Sequence, residues 1–444
     1  VSIASPKIDV QIARETGDQE LASVNSINAL TLHKSISERI GTMSITLSSK
    51  YADNLIADMS PNDLVQVFIN EKLVMEGVAA KPTMTGQMQE TGKAKKATVL
   101  NGFDSGYLFE HINRPYVDPM ILEHYSAQKT LLEKFATIYA NNRTIDGYIK
   151  DLYPKMLEGI KIYANNQEYE FSDGKKLSER YSESNILETV ASSSEFLHNL
   201  SIQVQLMQKN QSVFDVITSI ADAGFHEIFG DTYDKDDKLM LGSSEKTINN
   251  AGYKIVVRPK TFDSTSTDSQ YSNFSGNIVV DIGGRHFQYS MMKDAKQIYT
   301  AFIVGLAGYK YDADRAAALG GVQVNTDTMK KYGYKMLKYN VNCLGIQDNE
   351  TDLKQQSTNL SKIMKDWYED ADQWLSGQIS TPYNEELKIG KNVMFKLPND
   401  SNVYKAYIEQ LDTKFSAEEH RLYHVITYTR GIIEESTTEE TPRN

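Results

Sequence analysis

Asp63-Leu-Val-Gln-Val-Phe68 leads through a turn to Gly77-Val78 and then to Lys96-Ala-Thr-Val-Leu-Asn-Gly-Phe-Asp104. Near the other end, Lys391-Asn-Val-Met-Phe395 leads to Ala406-Tyr-Ile408 and then to Tyr423-His-Val-Ile-Thr-Tyr-Thr-Arg-Gly431 in matching steps. Val65 to Val99 is 34 residues, and Val393 to Val425 is 32. Apolar and polar side chains alternate in both stretches, which is the period of a strand with one buried face. The chain therefore reads as two β-rich ends with other material between them. Hairpin spacing is common to small β units, so the echo alone fits duplication and coincidence alike.

Working outward, Ile8-Asp-Val-Gln-Ile12 and Thr42-Met-Ser-Ile-Thr-Leu47 add strands to the first end. The Gly- and Lys-rich stretch from Thr85 to Lys96 reads as a solvated hairpin loop. From Ser126, a helix cap, the period turns helical, with Leu131, Leu132, Phe135, Ile138 and Tyr139 on one face. A second helix starts at Ser212, where Asp215 stands as a capping-box variant, and runs through Phe214, Ile217, Ile220 and Ala221 to Gly224. Strands return at Lys254-Ile-Val-Val257, Asn277-Ile-Val-Val-Asp281 and Ile298 to Gly305, with an exposed loop from Thr261 to Gly276. Leu353, Leu360, Ile363, Met364, Trp367, Ala371, Trp374 and Leu375 predict one long amphipathic helix over Asp352 to Gln378. That stripe serves as an intrachain core, with subunit contact as the other use of its two tryptophans. The division expected is 1–105 β, 106–211 largely helical, 212–345 mixed α/β, 346–380 the long helix, 381–433 β, and a disordered acidic tail over 434–444. The fold class is α+β.

At 444 residues the chain is too long for one small domain. The 47 basic and 59 acidic side chains leave a net charge of −12, which opposes the excess of Lys and Arg that grips phosphate backbones or anionic lipid. Cys343 is the only cysteine, so an intrachain disulfide, a Cys-rich zinc site and a CxxC redox pair are all excluded. Tyr outnumbers Phe by 26 to 15, a choice that suits half-wet surfaces and interfaces. The longest apolar window, Thr300 to Gly308, falls short of a bilayer span, and the first ten residues lack the pattern of a secretory signal. A soluble, unexported chain without membrane insertion is expected.

Chemistry-bearing motifs are few. GxxxxGK[ST], a strand-to-helix GxGxxG and GxSxG are absent from the sequence. His226-Glu227 opens like a zinc-peptidase HExxH, but Gly230 stands where the second ligand belongs. His420 and His424 are four apart, yet on an alternating strand that spacing spans roughly 13 Å, so both read as surface histidines. The acidic run Asp231-Thr-Tyr-Asp-Lys-Asp-Asp237 lacks the EF-hand Gly and Glu and reads as a solvated loop. The carboxylate separation that glycoside cleavage needs is not readable among 59 scattered acids. No catalytic, cofactor-binding or metal residue is assigned, and no cofactor is expected.

Short patterns in a shared order resemble the baseplate hub proteins of contractile phage tails, the late-control family, which is itself similar to the N-terminal part of type VI secretion spike proteins. The order begins with Gly41-Thr-Met-Ser-Ile-Thr-Leu47, Met59-Ser-Pro-Asn-Asp-Leu-Val-Gln-Val-Phe68 and Glu76-Gly-Val78. The most specific pair is Phe225-His-Glu-Ile-Phe-Gly-Asp231 followed by Val257-Arg-Pro-Lys-Thr-Phe262. Val280-Asp-Ile282, Ser290 with Asp294, Phe302-Ile-Val-Gly305 and Tyr332-Gly333 come next. Leu387-Lys-Ile-Gly-Lys-Asn-Val393, Val403-Tyr-Lys-Ala-Tyr-Ile408 and Val425-Ile-Thr-Tyr-Thr-Arg-Gly431 close it. The chain departs from the family pattern near His420, where many relatives carry V-x-H.

The resemblance implies two tube-like antiparallel β-barrel domains, 1–105 and one closed by 381–433, with helical and mixed α/β insertions. It implies a non-enzymatic homotrimer whose six barrels adapt a sixfold tail tube to a threefold central spike and line the DNA channel. Its partners would be the tail tube, the central spike, other baseplate proteins and the tape measure protein, with DNA passing unbound. Its place would be the virion's tail baseplate, assembled in the host cytoplasm. The alternatives from other classes are a tail-tip cell-wall hydrolase, with its acids in 106–200 or 231–237, and a carbohydrate-binding adhesin.

Overall fold

The computed structural model describes residues 6–12, 22–24, 27–47, 59–80, 83–88, 94–111, 149–150, 153–154, 156–157, 167–171, 174–189, 212–221, 224–241, 244–259, 278–281, 288–293, 298–306, 321–341, 350–368, 370–397 and 400–434. The first unit is β1 (Ile8–Ile12), β2 (Ala22–Val24), β3 (Ile27–Ser35), β4 (Thr42–Leu47), β5 (Leu64–Ile69), β6 (Lys72–Ala79), β7 (Thr83–Met88) and β8 (Ala94–Asp104). The middle holds helices α1 (Gly106–His111), α2 (Leu177–Arg180), α3 (Glu183–Ile186) and α4 (Val213–Ala221). Its strands are β9 (Leu187–Thr189), β10 (His226–Tyr233), β11 (Lys238–Leu241), β12 (Ser244–Thr247) and β13 (Gly252–Pro259). Then come β14 (Ile278–Asp281), β15 (Tyr289–Lys293), β16 (Ala301–Leu306), β17 (Gln323–Val324), α5 (Thr326–Tyr332), β18 (Met336–Val341) and α6 (Glu350–Tyr368). The closing unit is β19 (Leu375–Pro382), β20 (Asn392–Lys396), β21 (Val403–Ser416) and β22 (Arg421–Glu434).

The protein is α+β and rich in antiparallel strands. The sequence echo is also an echo in topology. In the first unit the neighbours run β3-β4-β8-β6-β5, and in the closing unit β15-β19-β22-β21-β20, every contact antiparallel. The likeness stops at the next strand, because β1 joins β5 antiparallel whereas β14 joins β20 in parallel. Strand pairing closes neither unit into a barrel among the described residues. Instead the second half of β21, Gln410 to Ser416, pairs with β3 and fuses both units into one sheet of fourteen strands.

The hairpin β10·β13 lies between two cores and is apolar on both faces. Tyr253, Ile255 and Val257 enter a cluster with Phe109, Tyr181 and Phe214, while Phe229 and Val256 enter another with Ile379, Val393, Phe395 and Ile426. This double burial explains the unbroken Ile-Val-Val run. The first unit keeps its own core around Val10, Leu32, Ile45, Val67 and Leu100. A fourth cluster joins α6 to β16 through Phe302, Val304, Leu360 and Met364.

Several expectations change here. The long helix ends at Tyr368, and Leu375 to Pro382 form a strand, so Ala371, Trp374 and Leu375 are not on the helix. Of the stretch from Thr85 to Lys96, residues 85–88 and 94–96 are paired strand, β7 against β8, and residues 89–93 lie outside the described residues. The cap at Ser212 stands, with the Asp215 amide donating to Ser212 Oγ at 3.1 Å and the Ser212 amide to Asp215 Oδ2 at 3.3 Å. The helix placed from Ser126, the loop over 261–276 and the tail beyond Glu434 lie outside the described residues.

Candidate functional site: a buried polar junction

The most specific sequence pattern sits where the three regions meet. Glu227 and Arg258 face each other across β10·β13 in register. Arg258 Nε donates to Glu227 Oε2 at 2.8 Å, and its Nη2 donates to the Gly390 carbonyl at 2.7 Å and to Tyr407 Oη at 3.2 Å. Tyr407 Oη in turn donates to Glu227 Oε1 at 2.6 Å. Arg258 is fully buried, its charge held by Glu227 and by the face of Phe229 at 5.3 Å. Gly390 is required at that spot. Its φ is +74°, and a Cβ there would lie 2.4 Å from Arg258 Nη2. The middle and closing regions are thus clamped through one guanidinium.

A second set of contacts ties in the first unit. Lys34 on β3 donates to Asp231 Oδ1 on β10 and to the Val74 carbonyl at 2.8 Å. Thr232, next along β10, accepts from the Glu76 amide at 3.1 Å through Oγ1 and from Lys388 Nζ at 3.0 Å through its carbonyl. Lys388 also stands 3.3 Å from Asp237. Glu76 takes Gln66 Nε2 at 2.7 Å and Arg180 Nη1 at 3.3 Å on Oε2, and Tyr181 Oη at 3.3 Å on Oε1. Beside this group opens a cavity of about 530 Å³ lined by Glu76, Arg180, Tyr181, Asn185, Gly252 and Tyr253.

Burial sets the protonation of the junction. Asp104 is pushed up to about 7 by loss of water, although the Gly41 backbone, Lys34 and the Gly106 backbone favour its charged form. The Lys34 ammonium is driven below its usual range by the same desolvation, which the Asp231 charge opposes. Burial lowers His424 to about 4.

These facts revise several sequence readings. Asp231 is 1% exposed and Asp237 is bound to Lys388, so the acidic run is anchored at both ends; only Lys235 and Asp236 are exposed within it. His424 is no surface residue. Its Nδ1 lies 3.1 Å from Thr413 Oγ1 and its Nε2 lies 3.1 Å from the Asn384 carbonyl. His420 is exposed in the β21–β22 turn at φ 50°. His226 and Glu227 are buried, and Glu227 serves Arg258. Among the described residues, no three His, Cys, Asp or Glu side chains are grouped as metal ligands.

Sequence reasoning passed over Lys34, Glu76, Asp104, Lys388 and Tyr407. Two of them carried a signal. Lys34 follows Leu30 and Leu32 in the inward phase of β3, and Asp104 follows Leu100 and Gly102 in that of β8. A charge in an apolar register needs a buried partner. Each charge here answers another across segments distant in sequence, which is the arrangement of a clamp.

No protein-family model matches the chain, and no curated protein sequence does. Solved structures do match. A tail protein of Neisseria meningitidis MC58 aligns at a TM-score of 0.52 and 10% identity over 96% of both chains. The 43 kDa tail protein of prophage MuSo2 from Shewanella oneidensis aligns at 0.52 and 10% over 96% of this chain and 98% of its own. A type VI secretion system component of E. coli aligns at 0.37 and 9% over 96% of this chain and 77% of its own, too low a score to argue from. The chain has the fold of these two tail proteins.

Proposed function

We propose that this chain is a structural baseplate hub protein of a contractile phage tail, three copies of which form a ring that joins a sixfold tail tube to a threefold central spike. The observation that carries the reading is the five-strand order found twice in one chain and fused through β21·β3. A chain with two like units offers six positions when it trimerises, which reconciles the two symmetries. The tail-protein fold over nearly the whole chain supports the setting. Tube, spike, neighbouring baseplate proteins and the tape measure protein are the partners on this reading, and catalysis has no part in it.

The ring would line the channel through which DNA passes. Three chains at −12 each total −36, and an acidic wall repels DNA rather than holding it. A neutral or basic channel surface would overturn that part.

Light scattering with negative-stain images of the same peak tests the proposal. A particle of about 150 kDa, three times the chain's 50.1 kDa, with threefold symmetry and a central hole is expected. A compact monomer at every concentration that also clears peptidoglycan would overturn it in favour of a cell-wall hydrolase; host-surface binding by such a monomer would favour an adhesin.

A further inference from the structure

The two repeats end in unequal ways. The seam β21·β3 uses the second half of β21 and the outer edge of β3. In the topology, β15 is the closing unit's counterpart of β3, and β7, which continues β6 along β8, is the first unit's counterpart of the second half of β21. Among the described residues β15 pairs only with β19, and β7 only with β8. One chain thus contains one finished seam and both halves of a second, on opposite ends.

The open edge of β15 carries a single protecting charge, Lys293, at its last residue, and no proline. Edge strands avoid self-association by charges, proline or bulges. Here the strand is Tyr289-Ser-Met-Met-Lys293, with Tyr289 50% and Met292 63% exposed. The β7 sequence, Thr83-Met-Thr-Gly-Gln-Met88, has no charged residue and no proline.

We propose that β15 of one chain pairs antiparallel with β7 of the next copy, and that this contact repeats β21·β3 between subunits. The inference rests on the hub reading and names the strands that would build its ring. The register follows from the finished seam. The pairs Ile45–Leu100 and Ile379–Ile426 superpose the repeats, so Leu30 corresponds to Tyr289 and Thr413 to Met84. Thr413–Leu32 in the seam then becomes Met84–Met291 between chains, and Asp412–His33 becomes Thr83–Met292. Thr85 meets Ser290, and Gly86 meets Tyr289, where a glycine leaves room for the ring opposite. Such a contact is head-to-tail, so it propagates around a ring until the last chain meets the first.

Cysteine crosslinking reads this register directly. In a Cys343→Ser background, Thr83→Cys with Met292→Cys places two thiols on directly opposed residues. Their Cα atoms would be about 4.5–5.5 Å apart, inside the range a disulfide spans. Mild oxidation is expected to give covalent dimers and trimers that reductant dissolves, while either single variant stops at dimers. Thr83→Cys with Lys293→Cys, one residue out of register and on the other face, is expected to give at least tenfold less trimer. A particle that scatters as a trimer without crosslinking, or that crosslinks equally in the control, overturns the pairing and leaves the hub reading standing. A chain that stays monomeric at every concentration and does not crosslink overturns the pairing and the self-assembling ring together.

Discussion

Residues buried with their charges are what this protein adds to an ordinary β core, and they make its stability depend on pH. Asp104, near 3.9 when unfolded, reaches about 7 in the fold. The folded state therefore holds the proton more tightly, and this group's contribution falls as pH rises from about 4 to 7. His424 has the opposite sense. It drops from the usual 6.5 to about 4, so the unfolded state binds the proton in that window and its contribution rises with pH. The two slopes oppose each other. Asp104→Asn is expected to remove the first, so that stability by urea unfolding, relative to the parent, climbs by up to about 1.4 kcal/mol per pH unit between pH 4 and 7. A parallel pair of profiles would refute the assignment. Burial also redirects the tyrosines. Composition suggested wet interfaces, but Tyr181, Tyr233, Tyr253 and Tyr407 are interior, their hydroxyls raised well above the usual range by desolvation.

Elements were readable from periodicity where the period was local and misread where a long-range contact overrode it. Ala371, Trp374 and Leu375 continue the helical spacing of α6, yet the chain turns after Tyr368 so that β19 can pair with both β15 and β22. Both partner strands are far from β19 in sequence, so a window of sequence cannot see them. The same helix repairs a gap in its neighbour sheet. β17 pairs with β16 only at Ala301 and Phe302, so the backbone of Val304, which points to the same edge as that of Phe302, is left beyond its end. Ser357 Oγ donates to the Val304 carbonyl, and Ser361 Oγ accepts from the Val304 amide at 2.9 Å. Both serines are fully buried. Ser357→Ala is expected to cost about 1–3 kcal/mol in chemical unfolding by stranding that carbonyl. A loss within the range of exposed serine variants would show that the contact is dispensable.

At the scale of the whole molecule, the sheet joins first and closing units while the buried junction locks the middle against both. Glu227 and Arg258 act on the second of these links, because Arg258 reaches Gly390 and both side chains bond the Tyr407 hydroxyl. Arg258→Met takes the charged donor from Glu227 Oε2 and from the Gly390 carbonyl and leaves the buried carboxylate with Tyr407 Oη, a loss of about 3–5 kcal/mol for a broken buried pair. Hydrogen exchange is expected to show amides of β13 and β20 opening together in the variant while those of β4 and β8 keep their protection. Uniform loss across all four strands would mean that the chain opens as one unit and that the clamp is not local.

The sequence by itself determined the two β-rich ends, their matching steps, the cap at Ser212 and the order of the short patterns that resemble tail hubs. Those features depend on neighbours a few residues apart, where period and capping chemistry act. The tertiary structure alone decided that Glu227 and Asp231 hold Arg258 and Lys34, that β21 reaches β3, and that the long helix stops at Tyr368. Each joins residues far apart in the chain, and the partner of a buried charge or an unpaired strand edge is fixed by what the fold brings within about 3 Å of it, not by spacing along the sequence.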